Sequence, residues 1–114
     1  MPHYMLQVGY TPEAWASMVK NPQDRIKAVT PAVEKLGGKV LAGYLTFGEY
    51  DLIAIVEMKS NVDAASFAIA VAAAGAVSKI HTTVLMTTTD GIEAMKRAGT
   101  STYRPATKSR ARAR

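Results

Sequence analysis

Four polar side chains in this sequence have types and positions suited to ligand binding or acid–base chemistry. Tyr50 and Asp51 lie in a short turn between two strand-like segments, and His3 and Gln7 lie in the first strand-like segment. Taking the first and third strands as parallel, we expect His3 to lie at the same end of the sheet as this turn. A hydrogen bond from His3 to Tyr50 or Asp51 would then provide an acid–base couple. The commoner role of a lone histidine near a strand end is that of a surface residue.

The two histidines, His3 and His81, do not favour a metal site. We expect them to begin the first and fourth strands, which are antiparallel neighbours, and so to lie roughly 20 Å apart at about 3.3 Å per residue. The sequence contains no cysteine, which excludes disulfides, a thiol nucleophile and metal sites built on thiolates. Phosphate-binding glycine loops and serine-nucleophile motifs are also missing from the sequence. We therefore expect neither a metal nor a cofactor.

The turn at 48–51 has a structural interpretation that ranks ahead of a catalytic one. Gly48 is expected to adopt a backbone conformation that other residues resist. Asp51 is expected to accept amide hydrogen bonds within its own turn. The Tyr50 ring is expected to pack across the end of the hairpin while its hydroxyl finds a partner.

The positive charge of the chain is concentrated at its end. The formal net charge is +5, and the five unbalanced basic residues all follow residue 99: Arg104, Lys108, Arg110, Arg112 and Arg114. The first 99 residues carry nine basic and nine acidic side chains. We therefore divide the chain into a folded domain, 1–99, and a flexible basic tail, 100–114, that favours solubility. Non-specific, salt-dependent contact of the tail with nucleic acid is the less favoured alternative.

The sequence favours a cytoplasmic protein that does not enter membranes. No basic segment followed by an apolar one opens the chain, so we expect no secretory signal. The alanine-rich stretch 64–77 is shorter than the roughly 20 strongly apolar residues needed to cross a bilayer. The absence of cysteine is compatible with a reducing compartment.

Apolar periodicity and turn residues predict the first half of the fold. Alternating residues over 3–10 predict a strand, which ends at Thr11 and Pro12, a favourable cap and first residue of a helix. Helical periodicity resumes over 26–36 and ends at the pair Gly37–Gly38, which is expected to supply a left-handed residue. Two strands joined by a short turn follow, which predicts an antiparallel hairpin. The later elements are a strand over 40–47, a strand over 52–58, a helix over 64–77 capped at Asn61 or Asp63, a strand over 79–87, and a helix capped at Thr89–Asp90 that ends at Gly99.

This order predicts an α+β fold, a ferredoxin-like βαββαβ sandwich with a short C-terminal helix. The expected sheet has the spatial order 4-1-3-2 with both crossover helices on one face. Residues 52–56 are apolar at consecutive positions, so both faces of their strand need cover. Either Leu52 and Ala54 or Ile53 and Ile55 face the helices, and the other face is left for a partner. The alternative within one chain is that the last helix folds across this face.

Several segments give the sequence a resemblance to the GYD domain family. These are the first strand from His3 to Gln7 with the junction 10–13, the junction 36–40, and the segment from Phe47 to Asp51 that contains Gly48 and Tyr50. The resemblance extends over residues 3 to about 95. It implies a dimeric α/β barrel, in which two ferredoxin-like sheets face one another. It implies no established reaction, and only Gly48, Tyr50 and Asp51 are carried over as motif positions.

Three functions remain open at this point. The favoured one is a homodimer or larger closed oligomer that assembles or binds a small molecule, with the ligand held by His3, Gln7, Tyr50 and Asp51. The second is a cofactor-independent enzyme that acts on a small polar or aromatic compound inside the barrel, an analogy with the superfamily alone. The third is a nucleic-acid accessory protein that acts through the tail. The sequence assigns no catalytic residue.

Overall fold

The structure is a computed structural model that describes residues 1–106. Most of the predicted basic tail, including Lys108, Arg110, Arg112 and Arg114, lies outside the described residues. Four strands and four helices follow one another along the chain: β1 (His3–Tyr10), α1 (Pro12–Lys20), α2 (Arg25–Lys35), β2 (Lys39–Leu45), β3 (Leu52–Glu57), α3 (Asn61–Ala73), β4 (Val77–Leu85) and α4 (Thr88–Ala98).

The sheet has the order β2-β3-β1-β4, and every neighbouring pair is antiparallel. The predicted ferredoxin-like fold and strand order are confirmed. The parallel relation expected between β1 and β3 is wrong, since His3 lies opposite Glu57 and Val8 opposite Leu52. The physical reason is the connectivity. The crossover through α1 and α2 makes β1 and β2 parallel, and the hairpin then reverses the chain, so β3 returns antiparallel to both.

Each helix begins at a side chain that accepts a backbone N–H, as orphan donors at helix starts require. Thr11 caps α1 as predicted, with a bond of 3.0 Å from the Ala14 N–H. The other predicted caps are displaced by one to three residues. Ser60, rather than Asn61 or Asp63, caps α3, and Thr87 caps α4; Asp24 caps α2. The helix α3 ends at Ala73, earlier than predicted.

The core lies between one face of the sheet and the helices α2 and α3. Alternate residues of β1 and β3 face it, so the first of the two predicted registers is correct. Val33 of α2 and Phe67 of α3 close the core from above. The buried cluster consists of Tyr4, Leu6, Val33, Ala54, Val56, Met58, Ala64 and Phe67. Tyr4, 1% exposed, donates its hydroxyl to Asn61 Oδ1 at 2.6 Å, which satisfies its buried polar atom.

No helix of the described part of the chain, residues 1–106, covers the other face of the sheet. We call it the open face, and its apolar residues are Met5, Ala42, Tyr44, Ile53, Ile55 and Leu85. The alternative in which the last helix covers this face is wrong. No residue of α4 is buried, and Ile92 and Met95 are 54% and 73% exposed. Within residues 1–106, no helix combines the length and apolar character needed to cross a membrane.

Two consecutive glycines connect α2 to β2 for different reasons. Gly37 has φ = 81°, the left-handed conformation that was predicted. Gly38 is required by space, because a Cβ there would collide with Met58 Sδ and with the backbone oxygen of Glu57. Gly48, by contrast, is not among the glycines with positive φ, and a Cβ there would meet no atom within 4 Å. The expectation that Gly48 adopts a special backbone conformation is therefore wrong.

This difference predicts opposite results for two matched substitutions. Gly38→Ala should lower the free energy of unfolding by about 1–3 kcal/mol, because a backbone oxygen cannot move aside without distorting the sheet. Gly48→Ala should change it by no more than about 0.5 kcal/mol. Urea denaturation of both variants measures the difference. Equal losses of stability in the two variants would contradict the conclusion that Gly38, and not Gly48, is closely packed.

Candidate functional site

A polar cluster lies on the open face beside the hairpin end. It surrounds a surface cavity of about 480 Å³ lined by Gln7, Thr46, Gly48, Glu49, Tyr50, Ile53 and His81. The structure thus brings together Gln7 and Tyr50 from the predicted ligand-binding set and adds His81. Three neighbouring strands or their ends contribute, so the cavity depends on the register of the sheet.

His81 was not predicted to belong to this cluster. The strand β4 begins at Val77, so His81 is its fifth residue and lies opposite Gln7 of β1. Its ring centroid lies 6.3 Å from that of Tyr50, with the rings inclined at 47°. The expected parallel direction of β3 placed the Tyr50 turn at the His3 end of the sheet, away from His81, and the antiparallel pairing corrects this. Alternation from β1 would have placed His81 correctly once the pairing was known.

Tyr50 is the residue around which the cluster is arranged. Its backbone oxygen accepts the Thr46 hydroxyl at 2.6 Å, which fixes the turn. The Lys79 Nζ lies 4.7 Å from the ring centroid, a cation–π distance. The Lys79 ammonium also lies 3.9 Å from Glu49 Oε2, an exposed pair that adds little stability. The cluster therefore presents aromatic, imidazole and amide groups above an aliphatic floor.

His3 lies at the other end of the open face. Its Nε2 is 3.1 Å from Glu57 Oε1, the side chain directly opposite on β3. Gln7 lies four positions after His3 in β1, or about 13 Å away at 3.3 Å per residue. The expected contact of His3 with Tyr50 or Asp51 is wrong because β1 and β3 are antiparallel.

Asp51 is a structural residue of the strand junction. Its Oδ2 accepts the Tyr10 N–H at 2.8 Å, and its own N–H donates to the Val8 oxygen at 2.8 Å. The pairing of β1 with β3 ends at Val8 and Leu52, so no backbone oxygen of β3 reaches the N–H of Tyr10. The carboxylate takes the place of that oxygen. Asp51 therefore bonds across to β1, and the expectation that it bonds within its own turn is wrong.

On the helix side of the sheet, an apolar groove lies between α2 and α3. It has a volume of about 270 Å³ and is lined by Leu6, Val8, Tyr10, Arg25, Ala28, Val29, Ala32, Leu52, Ala54, Phe67, Ala70, Val71, Ala74, Ala76 and Val77. Tyr10 and Arg25 are its polar side chains. Burial raises the pKa of the Tyr10 phenol above its usual 10.0, and the nearby Arg25 guanidinium opposes this shift. Sequence reasoning missed the groove, although facing alanines at helical spacing were a signal for it.

The fold places the chain among α+β proteins with a ferredoxin-like sheet. Its structure is similar to the crystal structure of MtbAldR, with a TM-score of 0.55 and 20% identity over 75% of this chain and 53% of that one. The chain thus spans about half the length of that protein, and the likeness concerns the fold alone. No curated protein matches the sequence significantly.

The family is established by the sequence itself. A model described as the GYD domain matches residues 4–95, which is most of the chain. The protein therefore belongs to the GYD domain family, and the resemblance noted from its motifs is confirmed.

The position of Asp51 predicts a graded response to substitution. Asp51→Ala should lower the free energy of unfolding by about 1–3 kcal/mol, because the half-buried Tyr10 N–H loses its acceptor. Asp51→Asn should retain most of the stability, since its side-chain oxygen can still accept this bond. Urea denaturation gives the stability, and amide hydrogen exchange at Tyr10 should be faster in the alanine variant only. Unchanged exchange at Tyr10 would show that the carboxylate does not hold this junction.

Proposed function

We propose that the protein is a homodimer in which two open faces pack together and enclose a site for a small polar or aromatic molecule. The observation that carries the proposal is the contrast between the two faces of one sheet. One face is buried under α2 and α3, whereas the other has aliphatic residues at its centre and no helix over it within residues 1–106. A contiguous apolar patch on a small domain usually marks an interaction surface.

The centre of the open face is the part that a partner would dehydrate. Met5 of β1 lies opposite Ile55 of β3, and Gln7 lies opposite Ile53. Met5, Ile53 and Ile55 are partly exposed, and covering the apolar area that remains exposed stabilises a complex by about 25 cal/mol per Å². Several such residues from each of two copies supply a substantial driving force for association. A second copy is the partner with the same apolar pattern on its face, as a two-fold interface requires.

The helix α4 provides a second apolar surface for the same assembly. Ile92 and Met95 are one turn apart on α4 and are both exposed. The helix follows β4 at the end of the sheet where His3 lies, with Leu85 opposite His3. In the proposed dimer, α4 packs against the partner and shields this edge of the interface from water.

The ligand site follows from the position of the polar cluster. Gln7, Tyr50 and His81 surround a cavity that opens on the face that the partner would cover. Packing a second sheet over it would exclude water and strengthen hydrogen bonds to the imidazole and amide groups. Ile53 forms an aliphatic floor for a ring. This combination suits a small compound with an aromatic ring and hydroxyl groups.

Solution mass tests the dimer. The wild-type chain should have twice the monomer mass in sedimentation or light-scattering measurements at micromolar concentration. Ile55→Glu should shift it to the monomer, because two buried carboxylates would face each other without partners. Val62→Glu is the matched control, since Val62 of α3 is 74% exposed and lies away from the open face. A monomeric wild type would overturn the proposal.

Ligand binding tests the polar cluster with catechol as the probe. Calorimetry should show saturable binding to the wild type, and His81→Ala should weaken it about five- to tenfold through loss of one hydrogen bond. His3→Ala is the control, because it removes the other histidine of the same face about 13 Å away. Equal weakening by both substitutions, or no binding to the wild type, would count against a site at the cluster.

A further inference from the structure

We infer that the groove between α2 and α3 is a second binding site, for a small amphipathic carboxylate with a medium-length alkyl or arylalkyl tail. The groove lies on the helix side of the sheet, opposite the open face. It is therefore separate from the proposed ligand site and does not depend on the proposed function.

The shape of the groove follows from small residues on both helices. Ala28 and Ala32 of α2 line it together with Ala70 of α3 and Ala74, the residue that caps the end of α3. Alanine side chains fill little of the space between the two helices. The floor consists of sheet residues that are among the best buried in the chain: Leu6, Val8, Leu52 and Ala54. The result is an apolar channel with an intact hydrophobic base.

The volume sets the size of the tail. A cavity of about 150 Å³ lined by apolar side chains binds benzene, and this groove holds about 270 Å³. A tail of roughly six to nine carbons therefore fits by the same measure. Longer chains would project into solvent and gain no further burial.

The charge of the ligand follows from Arg25. Arg25 is the one charged side chain that lines the described groove, and it lies beside Tyr10 at one end of it. Its Nη1 donates to Gln23 Oε1 at 2.7 Å, an uncharged partner, and it forms no ion pair within residues 1–106. A guanidinium binds a carboxylate through two parallel hydrogen bonds. An anionic head group therefore fits this end.

No carboxylate within residues 1–106 forms an ion pair with Arg25. Asp24 Oδ1 accepts the N–H groups of Ile26 and Lys27 at the start of α2. Asp51 accepts the Tyr10 N–H. Glu13 lines an adjoining surface pocket together with Arg25, but it is exposed to water. Arg25 thus remains the positive group available to a ligand, and the half-buried Tyr10 hydroxyl, neutral at physiological pH, is available as a donor.

The protein contains its own probe for this site. Trp15 is the only tryptophan, and its ring packs edge-on against Tyr10 with centroids 5.5 Å apart. A ligand that contacts Tyr10 should change the fluorescence of Trp15. Titration of the full chain with octanoate should give a saturable change, with the affinity confirmed by calorimetry. 1-Octanol has the same tail without the charge, and it should bind at least tenfold more weakly.

Substitutions separate the head-group and tail contacts. Arg25→Gln should weaken octanoate binding at least tenfold and leave octanol binding unchanged. Lys27→Gln removes the same charge from the neighbouring exposed position of α2 and should have no effect on either ligand. Ala70→Leu should fill the groove and abolish binding of both ligands. Ala28→Leu, from the opposite wall, gives the same test if the first variant does not fold.

Several results would overturn the inference. These are no saturable octanoate binding to the wild type, equal affinities for octanoate and octanol, equal effects of Arg25→Gln and Lys27→Gln, or full binding by the groove-filling variants. The titration is repeated with Ile55→Glu, which disrupts the proposed dimer. Octanoate binding by that variant separates this site from the assembly, so failure of one proposal leaves the other testable.

Discussion

The structure depends on β1, one of the two central strands of the sheet, which pairs with β3 along one edge and with β4 along the other. Its hydrogen bonds to β3 and β4 fix which residues of all three strands lie side by side. Successive side chains of β1 point to opposite faces of the sheet, with Leu6 and Val8 in the core and Met5 and Gln7 on the open face. Because side chains repeat every two residues along a strand, this register decides the composition of both faces at once.

The hairpin end joins these two faces through adjacent residues. Asp51 holds Tyr10 at the end of β1, and Tyr10 in turn packs against Trp15 and lines the groove on the helix side. Tyr50 belongs to the polar cluster on the open face, where its ring centroid lies 6.3 Å from that of His81. Two of the three motif positions therefore serve different sides of one sheet. At the third, Gly48, an added Cβ would meet no atom within 4 Å.

Most of the fold was predictable because local patterns agreed with each other. Alternation predicted β1 to the residue, Thr11 and Pro12 predicted the start of α1, and the βαββαβ order predicted the strand order. The site was less predictable because it depends on strand direction and register. The antiparallel direction of β3 places the turn at the Tyr10 end of β1, which moves it away from His3 and brings it beside His81. Contacts of this kind are non-local, and the sequence pattern does not encode their geometry directly. The division into a domain of 1–99 and a tail of 100–114 stays a prediction.

The short connection between β2 and β3 has a consequence for tolerated changes in length. Tyr50 and Asp51 are consecutive, and Leu52 begins β3 immediately afterwards. Inserting or deleting one residue just before Leu52 would displace the tyrosine from His81 and the acid from the Tyr10 N–H, even if the sheet itself were preserved. Homologues that keep both the polar cluster and the groove should therefore conserve the number of residues between the tyrosine and β3. They should conserve the identity of Phe47 less strictly, since Phe47 is exposed and lies earlier in the same connection.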